Sequence, residues 1–247
     1  LAARLTENPP AMREVAEIIT TDGGNALNFP TSDGTAEVGE IVGENAAAAL
    51  GEITFGTIAL PVYKYSSKKI ALPVELIQDS AIDVIDFVVN RLATRLARIQ
   101  NTHFTVGTGT GQPTGVIAAS ATGKTGTTGQ TLTVIYDDLV DLKHSVNRAY
   151  RANAKYTMND LSEAIVSKIK DTTGRPIWVP AVTLGAPDTL LGYPVQTNDD
   201  VAVMAANAKS IAFGDFSAYK IRDVSNSTSI RRFDDSAFAL NGQVGFC

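Results

Sequence analysis

One cysteine and two histidines are all that this 247-residue chain offers for thiol or imidazole chemistry. The lone thiol, Cys247, excludes an internal disulfide and any cysteine-rich zinc site, and His103 and His144 are too few for a multi-histidine metal centre. A basic excess is missing as well. The 21 Lys and Arg stand against 26 Asp and Glu, a net charge of −5, which argues against a protein that coats nucleic acid by neutralising phosphates. Long hydrophobic runs are absent: the most apolar stretch, 81–89, is interrupted by Asp83 and Asp86, so it does not span a bilayer. Arg4, Glu7, Pro9 and Pro10 break up the first residues, so no secretory signal is visible. The expectation is a soluble chain of intracellular origin, without membrane association. What is present is a globular composition, 44% hydrophobic and 19% charged, on a chain long enough for one to two domains. Leu1 in place of methionine, and Cys247 at the end of an apolar run, suggest a processed chain or a fragment.

Along the chain, Pro10 to Ile19 carries a short helical periodicity that ends at Asp22-Gly23-Gly24. Residues 28–72 read as extended, with strand-favouring Ile53, Thr54, Phe55, Thr57, Ile58, Val62, Tyr63 and Tyr65 between Gly and Pro punctuation. So few large apolar residues over so long a segment cannot bury a core. The pattern predicts a hairpin arm reaching away from the body. Ile82, Ile85, Val89, Leu92, Leu96, Ile99 and His103 alternate at +3 and +4, predicting one long helix of about 26 residues, with Asp79 or Ser80 as N-cap and Gly107 at its end. Glycine-rich 107–115 and the Ala, Thr and Gly of 118–130 predict loops. Beyond Val134, helices are predicted near 137–150 and 159–170. Strands are predicted near 154–158, 177–179, 193–197, 209–213, 219–224, 228–232 and 243–247, giving an α+β domain with a mixed or antiparallel sheet.

The glycine-rich loop invites a phosphate-binding reading, and its spacing denies it. A Gly-x-Gly-x-x-Gly fingerprint started at Gly107 places Gln112 at the third glycine; started at Gly109 it places Thr114 there. The loop also follows a helix instead of opening one. Gly123-Lys124-Thr125 mimics the end of a P-loop, but the first required glycine falls on Ala118. No cofactor is therefore assigned, and a nucleotide-binding enzyme remains only a remote alternative. No catalytic constellation stands out either. His103 closes an apolar stripe and reads as packed or interfacial, while His144 reads as solvated. Asp137 and Asp138 suit the N-terminus of a helix. Asp199-Asp200 and Asp234-Asp235 suit turns.

Charge distribution says more than charge total. The first 60 residues hold nine acids and two bases, net −7, leaving +2 on the other 187. Arg91, Arg95 and Arg98 fall at i, i+4 and i+7, on a helical face distinct from the apolar stripe. Lys64, Lys68 and Lys69 lie at the base of the arm, and Arg231 and Arg232 near the end of the chain. An acidic arm that meets a basic surface on an identical neighbour would gain register and specificity from that pattern; ordinary solvated faces are the simpler reading.

The run from Lys69 to Ser80 (KIALPVELIQDS), the long helix and the loop GTGTGQPTGVI at 107–117 resemble the major capsid proteins of tailed double-stranded DNA phages with the HK97 fold. Leu190-Leu191-Gly192-Tyr193-Pro194-Val195 and Phe213-Gly214-Asp215-Phe216-Ser217 are similar to later signatures of that family, and Ile41-Val42-Gly43-Glu44-Asn45-Ala46 to its Trp-Val-x-Glu segment with the tryptophan replaced. The resemblance covers about residues 25–247. It implies an N-terminal arm over 1–27, an extended E-loop over 28–72 lying on a neighbour, and a peripheral P domain with a spine helix and glycine-rich loop over 73–131. It further implies a compact axial A domain over 132–218 and P-domain return strands over 219–247, with the C-terminal end incomplete. The implied function is a non-enzymatic shell subunit that self-assembles into pentamers and hexamers around double-stranded DNA, bound without sequence specificity, in a virion assembled in the host cytoplasm. Portal, scaffold or maturation protease, and decoration proteins are partners the resemblance implies. An encapsulin-type compartment shell is the alternative on the same fold.

Some members of the family join E-loop to neighbour by a lysine–asparagine isopeptide. Asn45 stands at the lysine position, no lysine lies between Arg13 and Lys64, and Asn241 matches the acceptor. The assisting glutamate would fall beyond Cys247, so the expectation is a shell without crosslinks. The expected inter-subunit contacts are Glu40, Glu44, Asn45 and Glu52 on one side and Lys68, Lys69, Arg231, Arg232 and Asn241 on the other.

Overall fold

The computed structural model describes residues 11–247 except 33, 35–36, 81–83, 179–187 and 226. Helix α1 (Ala11–Val15) leads directly into β1 (Glu17–Thr21), so the helical periodicity expected to Ile19 stops at Val15. The strand wins because Glu17 to Thr21 finds a partner about 200 residues away: β1 pairs in parallel with β9 (Lys220–Val224), Glu17 opposite Lys220 and Thr21 opposite Val224.

The arm forms as expected. β2 (Asn28–Ser32) and β3 (Phe55–Ala59) pair antiparallel, and between them the chain turns at Glu44 and Asn45. Val62, Tyr63 and Tyr65 do not form a strand; they pair with no other described segment, and strand propensity without a partner does not make a strand. β4 (Ile70–Pro73) then joins β11 (Gln243–Phe246), which also pairs with β10 (Arg232–Phe233), giving a three-stranded antiparallel sheet. The strand expected at 228–232 is reduced to β10.

Asp79 does not cap the long helix. It ends a separate helix α2 (Val74–Asp79), with extended Ser80 after it, and the spine α3 runs Val84–Val106. Those 23 residues make a rod of about 35 Å. Its buried face is rotated from the expected stripe. Val88, Leu92, Ala93, Leu96, Asn101, Phe104 and Thr105 are buried, whereas Ile85 and Ile99 are exposed; Ile82 lies outside the described residues. Val88 and Leu92 pack on Val244 and Phe246 of the three-stranded sheet, and Phe104 packs with Met12, Phe216 and Ile221. One helix thus serves two small cores.

A third and larger core lies in the α+β part. α4 (Val116–Ala119) follows the glycine-rich loop, and α5 (Tyr136–Ser145) stops earlier than expected, where Val146 turns extended. β5 (Lys155–Met158), α6 (Asp160–Ser167), β6 (Thr189–Leu190), β7 (Tyr193–Thr197) and β8 (Ile211–Gly214) complete it. The sheet order is β6-β7-β5-β8; only β5 and β7 run parallel, so the sheet is mixed. Around fully buried Tyr156 pack Leu139, Met158, Val166, Trp178, Leu190 and Phe213. The strand expected at 177–179 is absent over its described residues: Pro176 bridges Lys170, and Trp178 is buried with its indole N–H donating to the Thr189 carbonyl at 2.9 Å. A short helix α7 (Ser236–Ala239) precedes β11. Among the described residues no helix is long and apolar enough to cross a membrane.

Candidate functional site

Among the described residues nothing covers the arm's large apolar side chains. Val38, Ile41 and Leu50 expose 92%, 101% and 87% of their surface, and Ile53, Phe55 and Ile58 are exposed too. Covering each such side chain contributes on the order of 1.5–3 kcal/mol, so the uncovered arm is incomplete as a monomer. Glu40, Glu44, Asn45 and Glu52 are exposed among them. Glu40 accepts the Ala49 N–H across the arm, and Asn45 takes φ 60° at its tip, where Ala46 N–H bonds the Gly43 carbonyl at 3.1 Å. None of the three glutamates makes an ion pair among the described residues.

Arg222 on β9 roots this arm. Its half-buried guanidinium donates to the carbonyls of Asn25 (2.7 Å), Gly23 (2.8 Å) and Leu60 (2.9 Å) and to the Thr21 hydroxyl (3.1 Å). Leu60 N–H in turn donates to Leu27 at 2.8 Å, closing the two chains of the arm against each other. Sequence reading gave Arg222 no role; it looks like any charged strand residue until Gly23, Asn25 and Leu60 are folded around it.

The expected basic contacts fall into one cluster. Arg231 exchanges backbone hydrogen bonds with Cys247 (2.8 and 3.0 Å), and Ile70 lies opposite Phe246, so Lys69, Cys247 and Arg231 are neighbours at one end of the three-stranded sheet. Lys69 Nζ lies 5.3 Å from the Phe233 ring centroid and 5.9 Å from that of Phe238, Lys68 turns at φ 64°, and exposed Arg232 pairs with Asp234 at 3.1 Å. Asn241 does not join them. It sits before β11, at the sheet's opposite end, donating to the Ala237 carbonyl at 3.3 Å. Among the described residues no ion pair joins the arm glutamates to this cluster.

A buried polar joint ties the spine to the α+β part. Asn101 on α3 accepts Met12 N–H (3.1 Å) and donates to Asn198 (2.8 Å) and to Asp200. Asn198 donates to Thr105 (2.9 Å) and accepts Asp200 N–H (3.1 Å), and Thr102 donates to Asp200 (2.8 Å). Asn198 is 2% exposed. Each member has a partner, so burial strengthens the network instead of penalising it. Asp199-Asp200 is a turn as expected, but the Asp200 carboxylate also holds two residues of the spine. Hydropathy patterns, which register apolar faces, gave no signal for this joint.

The sequence model of the "Phage capsid family" matches residues 3–247. The chain belongs to the phage capsid family. Among solved structures, the capsid of a native GTA particle computed with C5 symmetry superposes with a TM-score of 0.78 at 27% identity, over 96% of this chain and 82% of that one. A chain from Mycobacterium phage Cain gives 0.63 at 13% identity, over 97% and 81%. The holo-SrpI encapsulin complex from Synechococcus elongatus PCC 7942 gives 0.61 at 12%, over 95% and 79%. The last two likenesses concern the fold alone. No curated protein matches. The α+β architecture is thus HK97-like, and this capsid-family chain is a shell protein whose relatives' part is structural.

In this capsid-family chain the glycine-rich loop is a close-packed joint. Gly107 N–H caps the spine on the His103 carbonyl (2.9 Å), and Gly115 N–H bonds Gly107 O at 2.8 Å. A Cβ at Gly107 would lie 2.2 Å from Pro113 O, and one at Gly115 2.4 Å from Gly107 N, so backbone approach excludes any side chain there. His103 is packed as expected, its Nδ1 3.1 Å from the Tyr65 hydroxyl, and burial pushes Tyr65 up to about 12. His144 is exposed beside Arg151. Asp138 lies in the first turn of α5, the position expected of it, and there accepts the Ile135 N–H (3.3 Å) and Gln130 Nε2 (2.8 Å). Lys124 pairs with Asp141 at 2.5 Å, fastening the 118–130 loop to α5. Among the described residues no group of three or more His, Cys, Asp or Glu is placed to hold a metal.

Proposed function

We propose that this chain is the major shell subunit of a tailed-phage-type capsid, assembling as pentamers and hexamers around double-stranded DNA. The observation that carries this reading is the arm: a rooted hairpin whose Val38, Ile41, Leu50 and Phe55 are exposed and which a neighbouring subunit would cover. Residues 28–72 act as the E-loop, 73–131 and 219–247 as the peripheral P domain, and 132–218 as the axial A domain, with 1–27 as an N-terminal arm. Many modest contacts, repeated by closed symmetry, hold the particle. Glu40, Glu44 and Glu52 meet the Lys68, Lys69, Arg231 and Arg232 cluster of an adjacent subunit, and Asn45, in place of a lysine, leaves Asn241 without a crosslinking partner. Assembly takes place in the host cytoplasm with portal, scaffold or protease partners and, where present, decoration proteins. The encapsulin alternative has only fold-level likeness behind it. Negative-stain electron microscopy with gel filtration tests the reading. Closed particles or capsomers are expected; a stable monomer of about 26 kDa under all salt and concentration conditions overturns it.

A further inference from the structure

Arg91, Arg95 and Arg98 form an exposed stripe on the spine helix α3, and none of the three makes an ion pair among the described residues. Among the described residues the Phe87 ring lies 5.7 Å from the Arg91 guanidinium. Their face also carries Thr94 and Thr102, whose hydroxyls donate to the helix carbonyls of Asn90 and Arg98 at 2.9 and 3.0 Å. Asp200 lies at the stripe's C-terminal end, but its carboxylate accepts from Asn101 and Thr102. Three unpaired like charges on one face repel each other, and they stand on a chain of net −5, which would be −8 without them. Such a stripe calls for a polyanion.

We propose that this stripe contacts the phosphodiester backbone of the nucleic acid that the shell encloses. The inference rests on the shell reading and deepens it by assigning the residues that touch the contents. Two observations favour a phosphate polymer over the acidic arm of a second copy. The arm's glutamates are interleaved with exposed Val38, Ile41, Leu50, Ile53 and Phe55, so their receptor must be apolar as well as basic. On the arginine face guanidinium and hydroxyl groups outnumber apolar ones: the exposed Phe87 ring lies beside Arg91 and exposed Ile99 borders Arg95 one turn along, while Ile85 lies toward the buried Leu92 and Leu96. Spacing agrees as well. Arg91 to Arg98 rises about 10 Å, and one DNA strand carries a phosphate about every 3.4 Å along the axis, so three arginines match about three phosphates. No base edge needs to be read, so the contact is independent of sequence.

The test uses the purified chain and a random-sequence 30-base-pair DNA duplex, with anisotropy titrations between about 50 and 200 mM salt. The wild type binds with a steep salt dependence. The triple variant Arg91→Gln, Arg95→Gln, Arg98→Gln is expected to bind about tenfold or more weaker at the lowest salt, with the log–log slope reduced by about 2–3 per engaged stripe. The single variant Arg95→Gln is expected to lose about one unit of slope, which keeps the test open should the triple variant misfold. The Arg→Lys triple is expected to keep the slope, since a point charge suffices for phosphate. Absence of duplex binding by the wild type overturns the proposal, as does an unchanged slope in the Gln variants. Loss of particle assembly without DNA in the Gln triple also overturns it, because the stripe is then a subunit contact. The shell reading fails separately, by a wild type that electron microscopy shows as monomer.

Discussion

Replacing Arg222 by Ala removes four hydrogen bonds that hold the root of the arm, three of them to the carbonyls of Gly23, Asn25 and Leu60. In a fully buried site each charge-assisted bond would contribute about 1.5–3 kcal/mol. Arg222 is only half-buried, water can replace part of what is lost, and the bonds share one side chain, so about 2 kcal/mol is a fairer total. That loss is expected to be local, since the groups Arg222 bonds, at Thr21, Gly23, Asn25 and Leu60, belong to none of the three core clusters. It raises the population of the undocked arm about 30-fold. Hydrogen exchange reads this directly. The Leu60 amide, bonded to Leu27 at 2.8 Å, and the paired amides of β2 and β3 should exchange about 30-fold faster, while those of β5 and β7 stay unchanged. Arg222→Lys should recover only part of the protection, because an ammonium cannot span three diverging carbonyls. Unchanged exchange at Leu60 in the Ala variant would refute the clamp. Uniformly faster exchange through β5 would show instead that Arg222 supports the whole fold.

Asn198→Ala strips partners from Asn101, Thr105 and Asp200 in a buried site and should cost about 2–4 kcal/mol, read as a lower denaturation midpoint; a loss under 0.5 kcal/mol would mean water fills the joint. Burial raises Tyr65 and Tyr219 from 10 to about 12, so the folded state holds these protons longer than the unfolded chain does. The resulting stability is fully present below pH 10 and is lost as pH rises from 10 to 12; burial raises Tyr156 as well, so absorbance at 295 nm should show three late-ionising tyrosines, and a single ionisation near 10 would contradict their burial. Charge reversal at Arg231 and Arg232 should impair assembly more than folding and make it less dependent on salt; normal assembly of that double variant would remove the electrostatic contact with the arm. Boiled particles should run as single subunits on denaturing gels, and a covalent ladder would show that another lysine replaces the one missing at Asn45.

Local periodicity carried far into this molecule. The long helix, the strand at 193–197 and the helix at 160–167 follow from neighbours two to four residues apart, and the arm from its shortage of large apolar residues, which the chain alone specifies. So does the unsuitability of the glycine-rich loop for phosphate, which is a matter of counting residues. Tertiary structure decided what depends on partners distant in the chain. β1 became a strand, against its helical periodicity, because β9 lay beside it. The buried face of the spine turned toward Val88 and away from Ile85 and Ile99, because both the three-stranded sheet and the Met12 cluster pack on the same helix. Arg222, Asn101 and Asn198 are ordinary polar residues until their hydrogen-bond partners, up to about 200 residues away, arrive. A pattern of apolar residues records which side of an element is buried; it holds no record of which polar groups must meet there, because a buried hydrogen bond is fixed by three-dimensional placement alone.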